Sequence, residues 1–311
     1  MRPLAVVGNA NVDLILGPAA PWPKAGTEII VDHDELRVGG CAGNSALAWD
    51  SLGVDYAIAA NVGNDQFGTW LRQAFPERSR SWPVENVGTT LSVGITHPDG
   101  ERTFFTTRGH LPLLTFDEVR SMLDGETLRG GYALLTGSFL TDALTADYDR
   151  FFEWADTHDI AVALDTGWPL DGWTEANCAA TVGWLKRCRL ALFNEVETTT
   201  LTGLSDPIEA ARDLKAHMPE GAIVVVKRGP HGAIAVGADG GLSSVAAPAV
   251  SVVDTIGAGD VFNAGFLAAL AAGMPLAACL STGVTIASEA ISTLPRSYGK
   301  PLSSFLQETG A

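Results

Sequence analysis

Short, wholly apolar runs recur along the chain at helix-length intervals, and this spacing restricts the fold most. Leu4-Ala5-Val6-Val7 ends at Gly8, and Ala133-Leu134-Leu135, Ala161-Val162-Ala163-Leu164, Leu190-Ala191-Leu192-Phe193 and Ile223-Val224-Val225-Val226 have the same character. Between several of them lie segments long enough for helices: Asn44 to Leu52, Ala143 to Thr157 and Glu175 to Leu185. A strand that is apolar on both faces belongs inside a parallel sheet covered by helices on each side. The expected class is therefore α/β, with a mainly parallel central sheet. The 311 residues contain no low-complexity linker, so they are read as one domain.

Two stretches break the rhythm. Thr27 to Val38 mixes Ile29, Ile30 and Val31 with Asp32, Asp34, Glu35 and Arg37, and Thr90 to Thr107 alternates around the turn signal Pro98-Asp99-Gly100. Half-polar strands belong to an antiparallel piece with one wet face. Residues 13–38 and 90–107 are therefore expected to form a small β-sheet projecting from the main domain. Val261 to Ser288 carries no charged residue, but Gly273-Met274-Pro275 interrupts it. It is read as two short helices packed in the core rather than as a membrane span.

Charge excludes some partners. Twenty basic residues face 36 acidic ones, a net charge of −16, which argues against nucleic acid and against an anionic membrane surface. Cys41, Cys178, Cys188 and Cys279 show no Cys-x-x-Cys spacing, which points to free thiols in a reducing, cytoplasmic setting.

Asp254-Thr255-Ile256-Gly257-Ala258-Gly259-Asp260 follows strand-like Val250-Ser251-Val252-Val253 and opens an apolar helix. A glycine turn entering a helix directs bare amides and the positive end of the dipole at one place, which suits a phosphate. A carboxylate there would repel a phosphate unless Asp260 faces an attacking hydroxyl and takes its proton; the alternative is that Asp260 caps the helix. Gly39-Gly40-Cys41-Ala42-Gly43-Asn44 is a second close-approach turn leading into a helix.

Together these stretches resemble the ribokinase-like (PfkB) family of carbohydrate and nucleoside kinases. The resemblance spans nearly the whole chain, in order: Asn11 and Asp13; Gly39, Gly40 and Asn44; Val62 to Gly68; Asn194-Glu195-Val196-Glu197; Lys227 to Gly232; and Asp254 to Asp260. It implies an ATP-dependent kinase acting on a hydroxyl, expected to be a primary alcohol, of a small sugar or sugar-like molecule. Asp260 would be the general base, and the amides of Gly257, Ala258 and Gly259 the anion hole. Asn11, Asp13, Gly39, Gly40 and Asn44 would hold substrate. Asn194, Lys227, Gly229 and Gly232 would meet the nucleotide. Glu197 and Asn194 would hold Mg²⁺ through water, with a helix cap as their alternative. Asp254 and the Ile256 carbonyl would take a monovalent cation such as K⁺, as in some family members, unless Asp254 only caps its own turn. The half-polar strands would be a lid over the sugar, and Ile29, Ile30, Phe104 and Phe105 would pack against the main domain, cover substrate or form a homodimer contact.

The chain departs from ribokinases proper in two places. Cys41 replaces a lysine after the Gly-Gly pair, and Thr136-Gly137-Ser138-Phe139 lacks an acid; both put ribose in doubt. Arg108 is either a partner for an anionic substrate group or a solvated lid residue, and Trp168 and Trp173 either stack on a ligand or join the core. A nucleoside kinase of the adenosine type is the alternative within the family. A non-catalytic relative would have little use for Asp260, and a dinucleotide oxidoreductase expects a glycine pattern that Gly8-Asn9-Ala10-Asn11-Val12-Asp13 lacks.

Overall fold

The computed structural model describes residues 1–99 and 101–308. Six parallel strands lie in the spatial order Ile223–Lys227, Leu190–Asn194, Ala161–Asp165, Tyr132–Thr136, Leu4–Val7 and Ala57–Ala59. Ala233–Val236 and Leu242–Val245 extend this sheet through antiparallel pairings beyond Ile223–Lys227. The five apolar runs read from the sequence are all strands of it. Their residues alternate between two cores, as a period of two demands. Leu4 and Val6 pack with the helices Cys41–Leu52, Ala258–Ala271 and Leu276–Ser292, whereas Ala5 and Val7 pack with Phe116–Met122 and Tyr148–Thr157.

The small sheet forms as expected, in the order His33–Gly39, Asn11–Gly17, Leu91–Thr96, Arg102–Thr106. Asn11–Gly17 and Leu91–Thr96 are parallel, and the other two pairings are antiparallel. Its boundaries differ from the sequence reading. Ile29, Ile30 and Val31 lie outside any strand, because the ladder ends where Gly17 pairs with His33. With no neighbour to cover it, Ile30 is 94% exposed. Phe104 and Phe105 are also exposed. The expected turn Pro98-Asp99-Gly100 includes Gly100, which lies outside the described residues. At the base of this sheet His110 is fully buried. Its Nδ1 accepts the Thr90 amide at 2.9 Å, so Nε2 carries the proton and donates to the Ala10 carbonyl at 3.1 Å. Burial pushes its pKa down to about 4, which keeps the ring neutral.

Val250 to Val253 is not a strand either. The amides of Val253 and Asp254 donate to the Ile291 carbonyl at 2.7 and 3.2 Å instead of joining a ladder. The 143–157 segment is two helices, Asp142–Ala146 and Tyr148–Thr157, divided at Asp147. The uncharged stretch forms Ala258–Ala271 and Leu276–Ser292, parted by Gly273 at φ 82°. Among the described residues no helix is long and apolar enough to cross a membrane. Its many small residues have a packing reason. A Cβ on Gly265 would sit 2.2 Å from Ile286 Cδ1, and one on Gly283 would sit 2.9 Å from the Phe262 ring.

Trp49 ties this helical layer to the helix Cys41–Leu52. It is fully buried, and its indole Nε1 donates to the Ala264 carbonyl at 2.8 Å. Replacing Trp49 by Ala is expected to cost about 3–5 kcal/mol through the cavity and the orphaned carbonyl. A denaturation midpoint unchanged from the parent protein would show that the two helices do not depend on it.

Candidate active site

Three adjacent parallel strands end in Asp165, Asn194 and Lys227, so their polar groups meet at one carboxyl edge of the sheet, where open α/β sheets bind ligands. Lys227 Nζ donates to Asp165 Oδ2 at 2.6 Å and to Asn263 Oδ1 at 3.2 Å. Burial works against the ammonium charge, but the carboxylates of Asp165 and Glu197 hold the Lys227 pKa above its ordinary value. Lys227 is therefore neither a solvated strand-end residue nor a free point charge waiting for a phosphate, although it lines the adjacent cleft.

The helix Ala258–Ala271 places Asp260 beside this pair. Gly257, not Asp260, is the N-cap residue, at φ 74°. The Asp260 carboxylate accepts from Asn44 Nδ2 at 2.8 Å, and the Ser45 hydroxyl donates to the Asp260 carbonyl at 3.1 Å. A Cβ on Gly257 would lie 2.7 Å from Asn44 Nδ2, so the turn needs glycine for space as well as for its dihedral. Burial, and then the neighbouring Asp165 charge, pushes the Asp260 pKa up to about 6, against the pull of Asn44, Lys227 and the Cys41 thiol. Burial and the same two carboxylates keep Cys41 protonated. Of the three amides expected to form an anion hole, that of Ala258 already donates to the Thr255 carbonyl at 3.1 Å.

Asn11, Asp13, Gly39 and Gly40 pack closely together. Asn11 Nδ2 donates to Asp13 Oδ1 at 2.8 Å. A Cβ on Gly39 would overlap the Asp13 carboxylate at 2.1 Å, and one on Gly40 would meet the Asn9 carbonyl at 2.4 Å. Burial pushes the Asp13 pKa up to about 6 against the nearby Arg37 charge and the Asn11 hydrogen bond, and Asp260 contributes to the rise. Asp13 and Asp260 thus share one field.

Asn194 and Glu197 cap each other. The Glu197 amide donates to Asn194 Oδ1 at 2.8 Å, and the Asn194 amide donates to Glu197 Oε2 at 2.7 Å. Glu197 is buried, and its pKa is raised by that burial and then by Asp165. Asp65 is a cap too, accepting from the Gly68 amide at 2.9 Å. Asp254 closes its own turn by accepting the Ile256 amide at 2.9 Å, and its carboxylate also meets Arg37 and Arg296.

Beyond Lys227 opens a cleft of about 730 Å³ whose walls include Asn194, Gly229, Gly232, Gly259, Phe262 and Ile291. A Cβ on Gly232 would strike the Val245 carbonyl at 2.0 Å. Trp168 is exposed at the rim of a neighbouring depression, edge-on to Trp173 at 6.1 Å. Arg108 is exposed and paired with Asp142, not gathered with Asp13 and Asp260.

The sequence reading missed Asp165, Asn263, Arg37 and Arg296 as site residues. Asp165 carried a usable signal, since it ends an apolar run just as Asn194 does. Asn263 also carried one, standing three residues beyond Asp260 on the same helix face. The two arginines carried none.

The chain is 28% identical over 290 residues to the uncharacterized sugar kinase YegV of Escherichia coli (strain K12), covering 91% of this chain and 86% of that protein. Among solved structures it resembles the ribokinase of Arabidopsis thaliana complexed with ribose and ATP, with a TM-score of 0.76 and 22% identity over 98% of each chain. It also resembles the adenosine kinase of Sinorhizobium meliloti, with a TM-score of 0.80 and 21% identity over 99% of each chain. At such identities the two structures establish the ribokinase-like fold, and the activity class rests on the family profile that matches residues 1–297: the chain belongs to the pfkB family of carbohydrate kinases, which use ATP.

Proposed function

We propose that this kinase transfers the γ-phosphoryl group of ATP to a hydroxyl, a primary alcohol, of a small sugar or sugar-like molecule, with Asp260 as general base. The observation that carries the reading is the Asp260 carboxylate, held by Asn44 within the electrostatic reach of both Lys227 and Asp13. A base with a pKa of about 6 is ionised at neutral pH yet basic enough to accept a hydroxyl proton during attack. Asp260 takes that proton as the oxygen attacks phosphorus, the bond to the departing ADP breaks, and the amides of Gly257 and Gly259 face the charge that spreads over the transferring group.

The Asn11–Asp13 pair would orient the sugar hydroxyls. The small sheet would act as a lid that excludes water. The apolar wall of Phe262 and Ile291 suits a nucleotide base, and Gly229 and Gly232 let backbone approach it.

The donor set fits a Mg²⁺ that arrives with the nucleotide and keeps its waters, not a resident ion. Among the described residues no three His, Cys, Asp or Glu side chains are grouped to hold a metal, and Asn194 and Glu197 are occupied with each other. Asn194 and Glu197 would meet such an ion through water, and it would neutralise phosphate charge.

The direct test is ADP release with Mg-ATP across sugars, sugar acids, polyols and nucleosides. A single strong sugar substrate, silent with Asp260→Asn, is expected; turnover confined to nucleosides would replace the sugar reading by the nucleoside one. Asp260→Asn should lower kcat by about 10²–10⁴-fold while ATP still binds, and near-parental turnover would remove it as the base. In the parent enzyme kcat/KM should fall as pH drops through about 6, because both Asp260 and Asp13 gain protons there. An acid limb centred near pH 4 would mean that neither carboxylate is tuned. Asp13→Ala should raise the sugar KM far more than the ATP KM, whereas equal losses would indicate a folding defect.

A further inference from the structure

The turn preceding Gly257 holds a charge arrangement that the reaction above does not use. Three donors converge on the Asp254 carboxylate: Arg37 Nη1 at 2.5 Å and Arg296 Nη2 at 2.9 Å on one oxygen, and the Ile256 amide at 2.9 Å on the other. Arg296 Nη2 also lies 3.4 Å from the Asp254 carbonyl, so one guanidinium spans the side chain and the backbone of the same residue. The two arginine side chains are only 13% and 10% exposed. They come from distant segments, a small-sheet strand and the stretch after the helix Leu276–Ser292.

This donor set does not fit the alkali cation expected from the sequence at Asp254 and Ile256. Such an ion needs oxygens free to replace its water. Here both carboxylate oxygens already accept hydrogen bonds, and a further cation would stand against two guanidinium groups. The same positions fit a guanidinium, whose planar fork matches carboxylate geometry and whose charge persists at any working pH.

The clamp also reaches toward the reacting centre. Arg296 Nη1 lies 3.3 Å from where a Cβ on Gly257 would stand, and Gly257 caps the helix that carries Asp260. The Arg37 and Arg296 charges also act on Asp13, which stands opposite Arg37 in the small-sheet ladder. Arg37 Nη2 is buried without a hydrogen-bond partner, so its second edge faces the same interior instead of water.

We propose that Arg296, anchored with Arg37 on Asp254, supplies in covalent form the fixed positive charge behind the Gly257–Asp260 turn, and that this chain takes no monovalent cation there. Arg296 is a positioning residue, acting through the turn and its field. The catalytic half of the proposal rests on the phosphoryl-transfer reading, whereas the cation half does not.

Melting of the substrate-free protein tests the cation half. At equal ionic strength, potassium chloride and tetramethylammonium chloride should give the same midpoint, and a potassium-specific rise in the parent protein overturns it. Turnover tests the other half. Arg296→Ala should lower kcat by about tenfold or more, approaching the cost of losing one anion-hole donor, with the sugar KM changed much less. Added guanidinium ion should restore part of that loss where tetramethylammonium does not, and Arg296→Lys should retain more turnover than Arg296→Ala. A kcat near the parental value in Arg296→Ala, or stimulation of the parent enzyme by potassium, overturns the proposal. Absence of turnover by the parent enzyme on every acceptor would sink the phosphoryl-transfer reading instead, and the melting comparison would still decide the cation half.

Discussion

The ammonium of Lys227 is the positive charge around which the end of the main sheet is assembled. It meets Asp165 at 2.6 Å and lies within the field of Glu197 and Asp260. Removing charges from water costs several kcal/mol per ion, and a buried pair recovers this only with good geometry and further hydrogen bonds. Asn263 supplies those bonds, accepting from Lys227 and donating to Asp165. Without the ammonium, three carboxylates would crowd one dry corner. With it, Asp260 is lifted only to about 6. The proton affinity of the proposed base is therefore held down in part by this one ammonium.

Much of the main sheet was legible because burial on both faces leaves a mark that needs no partner to be read. Leu4–Val7 and the run Leu190 to Phe193 are apolar throughout, whatever stands beside them. The small sheet was legible in outline only. Where its strands stop depends on which residue pairs with Gly17, and no property of Ile30 itself reveals that its neighbour is missing. Val250 to Val253 failed for the same reason: a β-branched run becomes a strand only if a ladder lies in reach. Ala57–Ala59, Ala233–Val236 and Leu242–Val245, by contrast, are too short or too ordinary to stand out alone.

The site divides along the same line. Glycines announce close approaches, and Gly39, Gly40, Gly232 and Gly257 each have an atom standing where a Cβ would go. Charged pairs across the fold announce nothing, which is why Arg37 and Arg296 emerge only in three dimensions. Family membership settles the fold and the class of chemistry. Cys41 puts a neutral thiol against Asp260 at a position where ribokinases proper carry a charged lysine. Thr136 to Phe139 offers hydroxyls and a ring instead of an acid.

The hydrogen bond between Asn44 and Asp260 joins residues 216 positions apart, and the Arg37–Asp254 pair joins residues 217 apart. Bringing such distant segments together carries a large loop-closure entropy, and it requires the later segment to exist. During synthesis the ribosome therefore releases the early strands and the Gly39–Asn44 turn long before their counterparts emerge. An unfinished chain lacks the contacts that hold Asp260 to Asn44 and Asp254 to Arg37. Nascent or truncated molecules would therefore lack the assembled candidate site, which forms only once the final third of the chain has folded back upon its beginning.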